Sequence, residues 1–397
     1  MWNRPLISPG RHLAMMEWAG KFDRNLPWLY RRIRRREYPD RHLPSTADRE
    51  TAAASQTTYA EAWRANIGAA GREFDRPALP VHLSHHPIAK NIRQIATGVH
   101  LATRLGRRLE IAAGNPREES FFAREGKGDW HPWLWGRIER ARASNAPAVS
   151  AGGGDEAADL WGLYFRNQPG AGIEVNDVFA REDRRIPRWQ RKVLEMAICC
   201  TETFRLNDLV AERVDAWRKA MDWPVDAPVL GLHVRRGDAA SEDLDRSTRR
   251  SQTLEEYLAA ADRICSRYDI RTIYLSTESQ QEVDRARTLR PNHRILALPH
   301  DRSVFPTIES ESRFIEDVAL DDPGLVEPLV VSALADLHLL GESSAFIGTF
   351  NSEFSMLGWL LCIGRNREVV PYIDLTTHLG HQSFQGRLDF WMDPPSD

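Results

Sequence analysis

Cysteine is scarce in this chain, with four in 397 residues (Cys199, Cys200, Cys265 and Cys362). They sit at no metal-ligand spacing, and the adjacent pair is ill suited to a disulfide. This excludes a disulfide scaffold and a Cys-ligated zinc module, and predicts reduced, mostly buried thiols in a cytosol-like compartment. Lysine is nearly missing: five of the 53 basic residues, leaving 48 arginines. That skew fits a GC-rich genome, so bidentate anion binding has to be argued site by site. An excess of one charge is also missing, since 53 Lys+Arg face 56 Asp+Glu for a net charge of −3. The balance excludes a strongly basic nucleic-acid binder. Long apolar runs are absent as well, and the opening MWNRPLISPGRHLAMMEWAG holds none of the length that a signal peptide or anchor needs. The basic stretch Tyr30–Tyr38 reads as a solvated helix face rather than a membrane contact. The expectation is a soluble chain without an integral membrane segment, cytoplasmic or peripheral at the inner membrane surface.

What the chain does have is core: 42% of its residues are hydrophobic, enough for two or three domains. Residues 1–75 are polar and weakly periodic, and read as an extension packed on the first domain. From Pro80 a strand-like run leads into a helical pattern over Ile88–Leu105, with Ile88, Ile92, Ile95, Val99 and Ala102 on one face. Gly106 then ends the helix, and Arg107–Ala113 reads as the next strand, a β-α-β opening. Ser144–Asp155 is the clearest loop.

The second half alternates strand and helix throughout. Strands are expected at Pro228–Arg235, Arg271–Ser276, His293–Pro299, Ala345–Gly348 and Glu368–Ile373. Helices are expected from the capping box at Thr253 to about Ser266, from Ser279, over Pro328–Gly341 (Pro near its first position, Gly just past its end), and from Ser352 to about Ile363. Such alternation predicts a doubly wound parallel sheet covered on both faces, with ligands beyond the carboxyl ends of the strands.

Three strand ends carry chemistry. In Gly231-Leu-His233-Val-Arg235-Arg236-Gly-Asp238, alternation puts His233 and Arg235 on one face of the strand. Two consecutive arginines past a strand end can fork onto a diphosphate, with Asp238 holding one guanidinium; the plainer reading is an exposed charged turn. Tyr274-Leu-Ser-Thr-Glu278 ends the next strand in a carboxylate suited to a purine edge or ribose hydroxyls, or simply to a helix start. Gly348-Thr349-Phe350-Asn351-Ser352 precedes a helix whose free N–H groups and hydroxyls make an anion cradle, a role compatible with plain N-capping.

These residues resemble a family. His233-x-Arg235-Arg236-x-Asp238 is similar to the HxRRxD motif of the GDP-fucose-dependent fucosyltransferases, which include α1,6-type (rhizobial chitooligosaccharide and eukaryotic core), α1,2-type and protein O-fucosyltransferases. Tyr274-LSTE, Asp336-LHLL with Phe346-IGTFNSEFSMLGWLL, and Gln94-x-Ala-x-Gly98 with Arg104-LGR-Arg108 resemble further segments in the same order, so the likeness spans about residues 80–375. It is nearest the α1,6 type, while NSEFSxxG is also readable as an α1,2-type pattern. Where the family has a Gly-rich, GNQ-like loop, this chain has Ser84-His85-His86-Pro-Ile-Ala-Lys90-Asn91, which bears on acceptor identity.

The resemblance implies a GT-B-like fold of two Rossmann-like domains facing a cleft. The domains fall at 76–225 on the acceptor side and 226–375 on the GDP-sugar side, and residues 376–397 cross back to the first. It implies inverting, metal-independent transfer of fucose from GDP-fucose to a glycan or glycoconjugate hydroxyl, with no cofactor, no metal and no nucleic-acid partner. Arg235 would stabilise the leaving diphosphate. His233 and Glu278 fall where the family contacts guanine; Thr349, Phe350, Asn351 and Ser352 fall at the diphosphate, beside Arg236 and Asp238. Glu242 or Asp243 is the candidate base. His85, His86, Lys90, Asn91 and Trp133 are acceptor-side candidates. Asp243-Leu-Asp245 spells a metal–diphosphate signature, but the adjacent arginine pair makes a metal redundant there. His82-x-x-His85-His86 has metal-like spacing without a companion cysteine. The alternatives are an α1,2-type or protein O-fucosyltransferase, and a nucleotide-sugar-binding protein without turnover.

Overall fold

A computed structural model describes residues 43–67, 79–82, 88–105, 109–112, 186–236, 252–306, 323–350 and 352–376. The first half contributes helix α1 (Thr46–Ile67), strand β1 (Leu79–His82), helix α2 (Ile88–Leu105) and strand β2 (Leu109–Ala112). Strands β1 and β2 pair in parallel, so the expected β-α-β opening is present. Helices α3 (Arg188–Thr203) and α4 (Asp208–Ala220) follow.

The second half is the α/β unit its alternation predicts: β3 (Val229–His233), α5 (Leu254–Tyr268), β4 (Thr272–Ser276), α6 (Gln280–Leu289), β5 (Arg294–Leu296), α7 (Val326–Gly341), β6 (Ala345–Gly348), α8 (Glu353–Asn366) and β7 (Tyr372–Asp374). All five strands are parallel, in the order β5-β4-β3-β6-β7. Local signals set the helix starts. Thr253 and Glu256 close both arms of a capping box on α5, and Ser279 accepts from Glu282 N at 3.2 Å to cap α6. Helix α7 starts two residues ahead of Pro328, which sits in its first turn, where a missing N–H costs nothing. Gly341 is its last helical residue rather than the one beyond. The last strand is shorter than expected, and Glu368 lies ahead of it.

The two sheet faces are covered differently. Leu230, Leu232 and Val234 of the β3 segment join Ile273, Leu275 and Ile347 against Leu254, Leu258, Ala261 and Ile264 of α5 and Val283 and Ala286 of α6, a single helical layer. The other face meets α7 and α8, which are themselves covered by α3 and α4, and then by α1 and α2. Every residue of α8 from Ser355 to Gly364 is therefore buried. The α3–α8 crossing is so close that a Cβ on Gly364 would lie 2.5 Å from the Ala197 carbonyl oxygen.

Helices α1, α3 and α4 carry no element in the sequence reading. Helix α1 is alanine-rich and polar; its buried side chains are Gln56, Ala60 and Trp63, with the half-buried Tyr59 donating to Glu195 beside them. Its ends are tied by Arg49 to Glu368 and by Arg367 to Glu61 (2.6 Å). All four cysteines are buried thiols, as expected. The loop at 144–155 and the segment 377–397 lie outside the described residues. No helix among the described residues is long and apolar enough to cross a membrane.

Candidate active site

The chain leaves β3 toward α5 on one face and leaves β6 toward α8 on the other, although β3 and β6 are neighbours. The carboxyl ends of two neighbouring strands whose connections diverge in this way are the usual ligand position in an open parallel sheet. The two segments singled out by sequence are the ones that meet there. His233 Nδ1 lies 2.5 Å from Ser355 Oγ in the first turn of α8, and its ring packs on Phe354 with centroids 4.8 Å apart. Ser355 Oγ also accepts from Thr349 N at 3.4 Å, so one hydroxyl joins both strand ends. Gly348 makes this possible, because a Cβ there would sit 2.9 Å from the same hydroxyl.

Alternation along β3 holds as expected: Leu232 and Val234 face α5, whereas His233 faces α8. His233 is 3% exposed, and burial with the Arg235 charge beside it pushes its pKa down to about 3. It is a neutral imidazole at any working pH. Arg235 itself is half-buried.

Arg236 is held by the protein. Arg236 donates from Nε to Glu282 Oε1 (2.8 Å) and from Nη1 to the Gln252 carbonyl (2.9 Å), while its backbone N–H donates to Glu278 Oε2 (3.1 Å). Its guanidinium thus braces the end of β3 against the starts of α5 and α6. Glu278 meets the backbone of this same brace.

Ser352 caps α8, accepting from Ser355 N at 3.4 Å. Thr349 is engaged by Tyr257 of α5, a buried phenol whose pKa burial pushes up to about 12. Phe350 departs from its expected place against the nucleotide. Its ring is 3% exposed, stacked on Tyr372 (5.6 Å) and packed on Trp359 (4.9 Å), because the apolar cluster beneath β6 offers it more contact. Only its backbone N–H reaches the strand-end network, donating to Asp374 Oδ1 at 3.1 Å.

A second buried polar group underlies β4. Tyr274 donates to Asp336 of α7, and burial raises the Asp336 carboxyl to about 7. Arg302, 6% exposed, donates from Nε to the Thr277 carbonyl at 3.0 Å. Sequence reasoning gave no role to Ser355, Tyr257, Asp374 or Arg302. Ser355 carried a usable signal, a hydroxyl three residues past the Ser352 cap. The others are brought in by topology alone.

Lys90 and Asn91 stand in the first turn of α2, as the helical pattern over Ile88–Leu105 predicts and not in the loop that the family resemblance implies. Asp238, Glu242, Asp243, Asn351, His85, His86 and Trp133 lie outside the described residues. Among the described residues, no group of three or more His, Cys, Asp or Glu could hold a metal ion.

No protein-family model matches the chain, and no curated protein matches it. Solved structures are similar to it at low identity. One is a NodZ alpha-1,6-fucosyltransferase co-crystallised with GDP (18% identity, TM-score 0.36, covering 75% of this chain and 95% of that one). Another is the fucosyltransferase NodZ from Bradyrhizobium (17%, TM-score 0.38, 76% and 98%). A third is POFUT1 in complex with GDP-fucose (12%, TM-score 0.30, 45% and 49%). Function therefore rests on the site residues themselves.

Proposed function

We propose that the protein transfers fucose from GDP-fucose to a hydroxyl of a glycan acceptor, with inversion and without a metal, in the α1,6-type manner. One observation carries the reading: His233 at the end of β3 and the Thr349–Ser355 start of α8 are joined at a sheet switch point, as a diphosphate site built from Arg235 and a helix N-terminus requires. In the reaction the bond between fucose C1 and the β-phosphate oxygen breaks as the acceptor oxygen bonds to C1. GDP leaves with negative charge developing on its β-phosphate, and the sugar passes through an oxocarbenium-like state. Arg235 and the start of α8 supply fixed positive charge at that phosphate, in place of a metal. Glu242 or Asp243 takes the acceptor proton. His233 and Glu278 hold the base, with Asp238 steadying the strand-end arginines. His85, His86, Lys90, Asn91 and Trp133 are the acceptor-side candidates, and the reaction takes place in the cytoplasm or at the inner membrane surface.

The test is transfer of labelled fucose from GDP-fucose to a panel of chitooligosaccharides, N-glycans and galactosides, with linkage analysis of product and a parallel run in EDTA. An α1,6-linked product unaffected by EDTA is expected. An α1,2 linkage or a protein-linked product would redirect the acceptor reading. Absence of thermal stabilisation by GDP would overturn the donor reading altogether.

A further inference from the structure

Glu353 is the first residue of α8, the helix whose start meets the end of β3. A carboxylate at that position is favoured by the helix dipole, but it draws on the same field that would attract a diphosphate. Arg93 of α2 meets it: Arg93 Nε lies 2.6 Å from Glu353 Oε2, with the arginine side chain 6% exposed and the glutamate 27%. The pair bridges 260 positions of sequence and joins the first half of the chain to the helix turn that seats His233 through Phe354 and Ser355. A buried arginine on a helix that also buries Ile92, Ile95 and Ala96 is costly unless its partner is worth holding.

We infer that Arg93 is a positioning residue that neutralises Glu353 and turns its carboxylate aside, so that the start of α8 stays receptive to the diphosphate of the donor. The inference rests on the donor-site reading above. It makes a residue of the acceptor-side half a determinant of donor affinity, acting through charge and not through contact with the nucleotide.

The experiment is calorimetric titration of the full chain with GDP and, separately, with uncharged guanosine, at low and moderate salt. Arg93→Met leaves Glu353 unpaired beside the phosphates and is expected to weaken GDP binding about tenfold or more, most strongly at low salt, with guanosine affinity unchanged. Glu353→Gln is expected to bind GDP at least as tightly as the unmodified chain. The double variant R93M/E353Q should recover GDP affinity although the ion pair is gone, and Arg93→Lys should retain most of it. A double variant as weak as R93M would overturn the inference, as would equal losses for GDP and guanosine or unchanged GDP binding in R93M. If R93M does not fold, the double variant carries the test alone: near-native GDP affinity supports the inference, and a tenfold loss overturns it. Failure of the unmodified chain to bind GDP would instead strike the donor-site reading.

Discussion

Helix α8 serves two purposes along its 14 residues, and its two ends are built in opposite ways. Its first turn is polar. Ser352 caps it, Ser355 bonds His233 and Thr349, and Glu353 pairs with Arg93. Its later turns are packing surface: Trp359 and Met356 fill the cluster behind the sheet, and Gly364 lets the α3 backbone approach. The front end fixes polar atoms in place, and the back end removes apolar surface from water. Substitutions at the two ends should therefore separate function from stability.

The widest separation is expected from Arg235→Ala, just past the strand whose His233 meets the first turn of α8. On the proposed donor-site reading, losing Arg235 should cost about 10²–10³ in turnover, as loss of a donor to developing charge does. Because Arg235 is only half-buried at a strand end, the melting temperature should stay within a degree or two of the parent. Arg235→Lys should restore little, since a point charge does not reproduce a planar fork. Steady-state kinetics beside thermal unfolding checks both halves of the claim; equal losses in the two would make Arg235 structural.

Gly364→Ala is the counterpart at the back. Its new methyl would lie 2.5 Å from the Ala197 carbonyl oxygen and 2.1 Å from Thr201 Oγ1, contacts that a backbone cannot give way to cheaply. A loss of about 3 kcal/mol, the upper end of ordinary overpacking, is expected in urea unfolding. Turnover per folded molecule should not change. Ser355→Ala tests the point where the two ends join. It strips His233 Nδ1 and Thr349 N of a buried partner, for an expected loss of about 1–3 kcal/mol together with weaker GDP binding. A loss of stability with no change in GDP affinity would detach Ser355 from the site.

How far these ends could be read in advance follows from the physics of each. The parallel sheet was legible because fully buried strands such as Thr272–Ser276 are short apolar runs bounded by caps and turns. The meeting of His233 with the start of α8 was legible once alternation fixed the face of β3 and the switch-point rule fixed its neighbour. Helix α1 was not, because Gln56, Ala60 and Trp63 make too sparse a stripe among alanines and polar residues. Arg236 looked identical to Arg235 in sequence. Only the positions of Glu282 and Gln252, 46 and 16 residues away, show that it is a brace. Arg93 and Glu353 are each ordinary helix residues until folding sets them 2.6 Å apart.

The narrowest expected effect, a change of slope and not of activity, is in the pH dependence of stability. His233 titrates at about 3 in the folded protein against an ordinary value of 6.5. The unfolded chain binds the extra proton between those values, so this group makes stability fall as pH drops from 6.5 toward 3. Asp336 runs the other way. Its folded value of about 7 stands above the ordinary 3.8, so the folded protein holds the extra proton in that interval. Its contribution is full below 3.8 and is lost as pH rises through 7. From about pH 4 to 6.5 the two slopes oppose each other and largely cancel. Asp336→Asn keeps an acceptor for the Tyr274 hydroxyl while removing the second slope. The variant should therefore lose stability on acidification more steeply than the parent, by about 1.4 kcal/mol for each pH unit across that interval. Urea unfolding at pH 4.5, 5.5 and 6.5 reads the difference directly. Parallel curves for parent and variant would mean that Asp336 is ionised in the folded protein, with its charge held by Arg302 and Tyr274 rather than suppressed by burial.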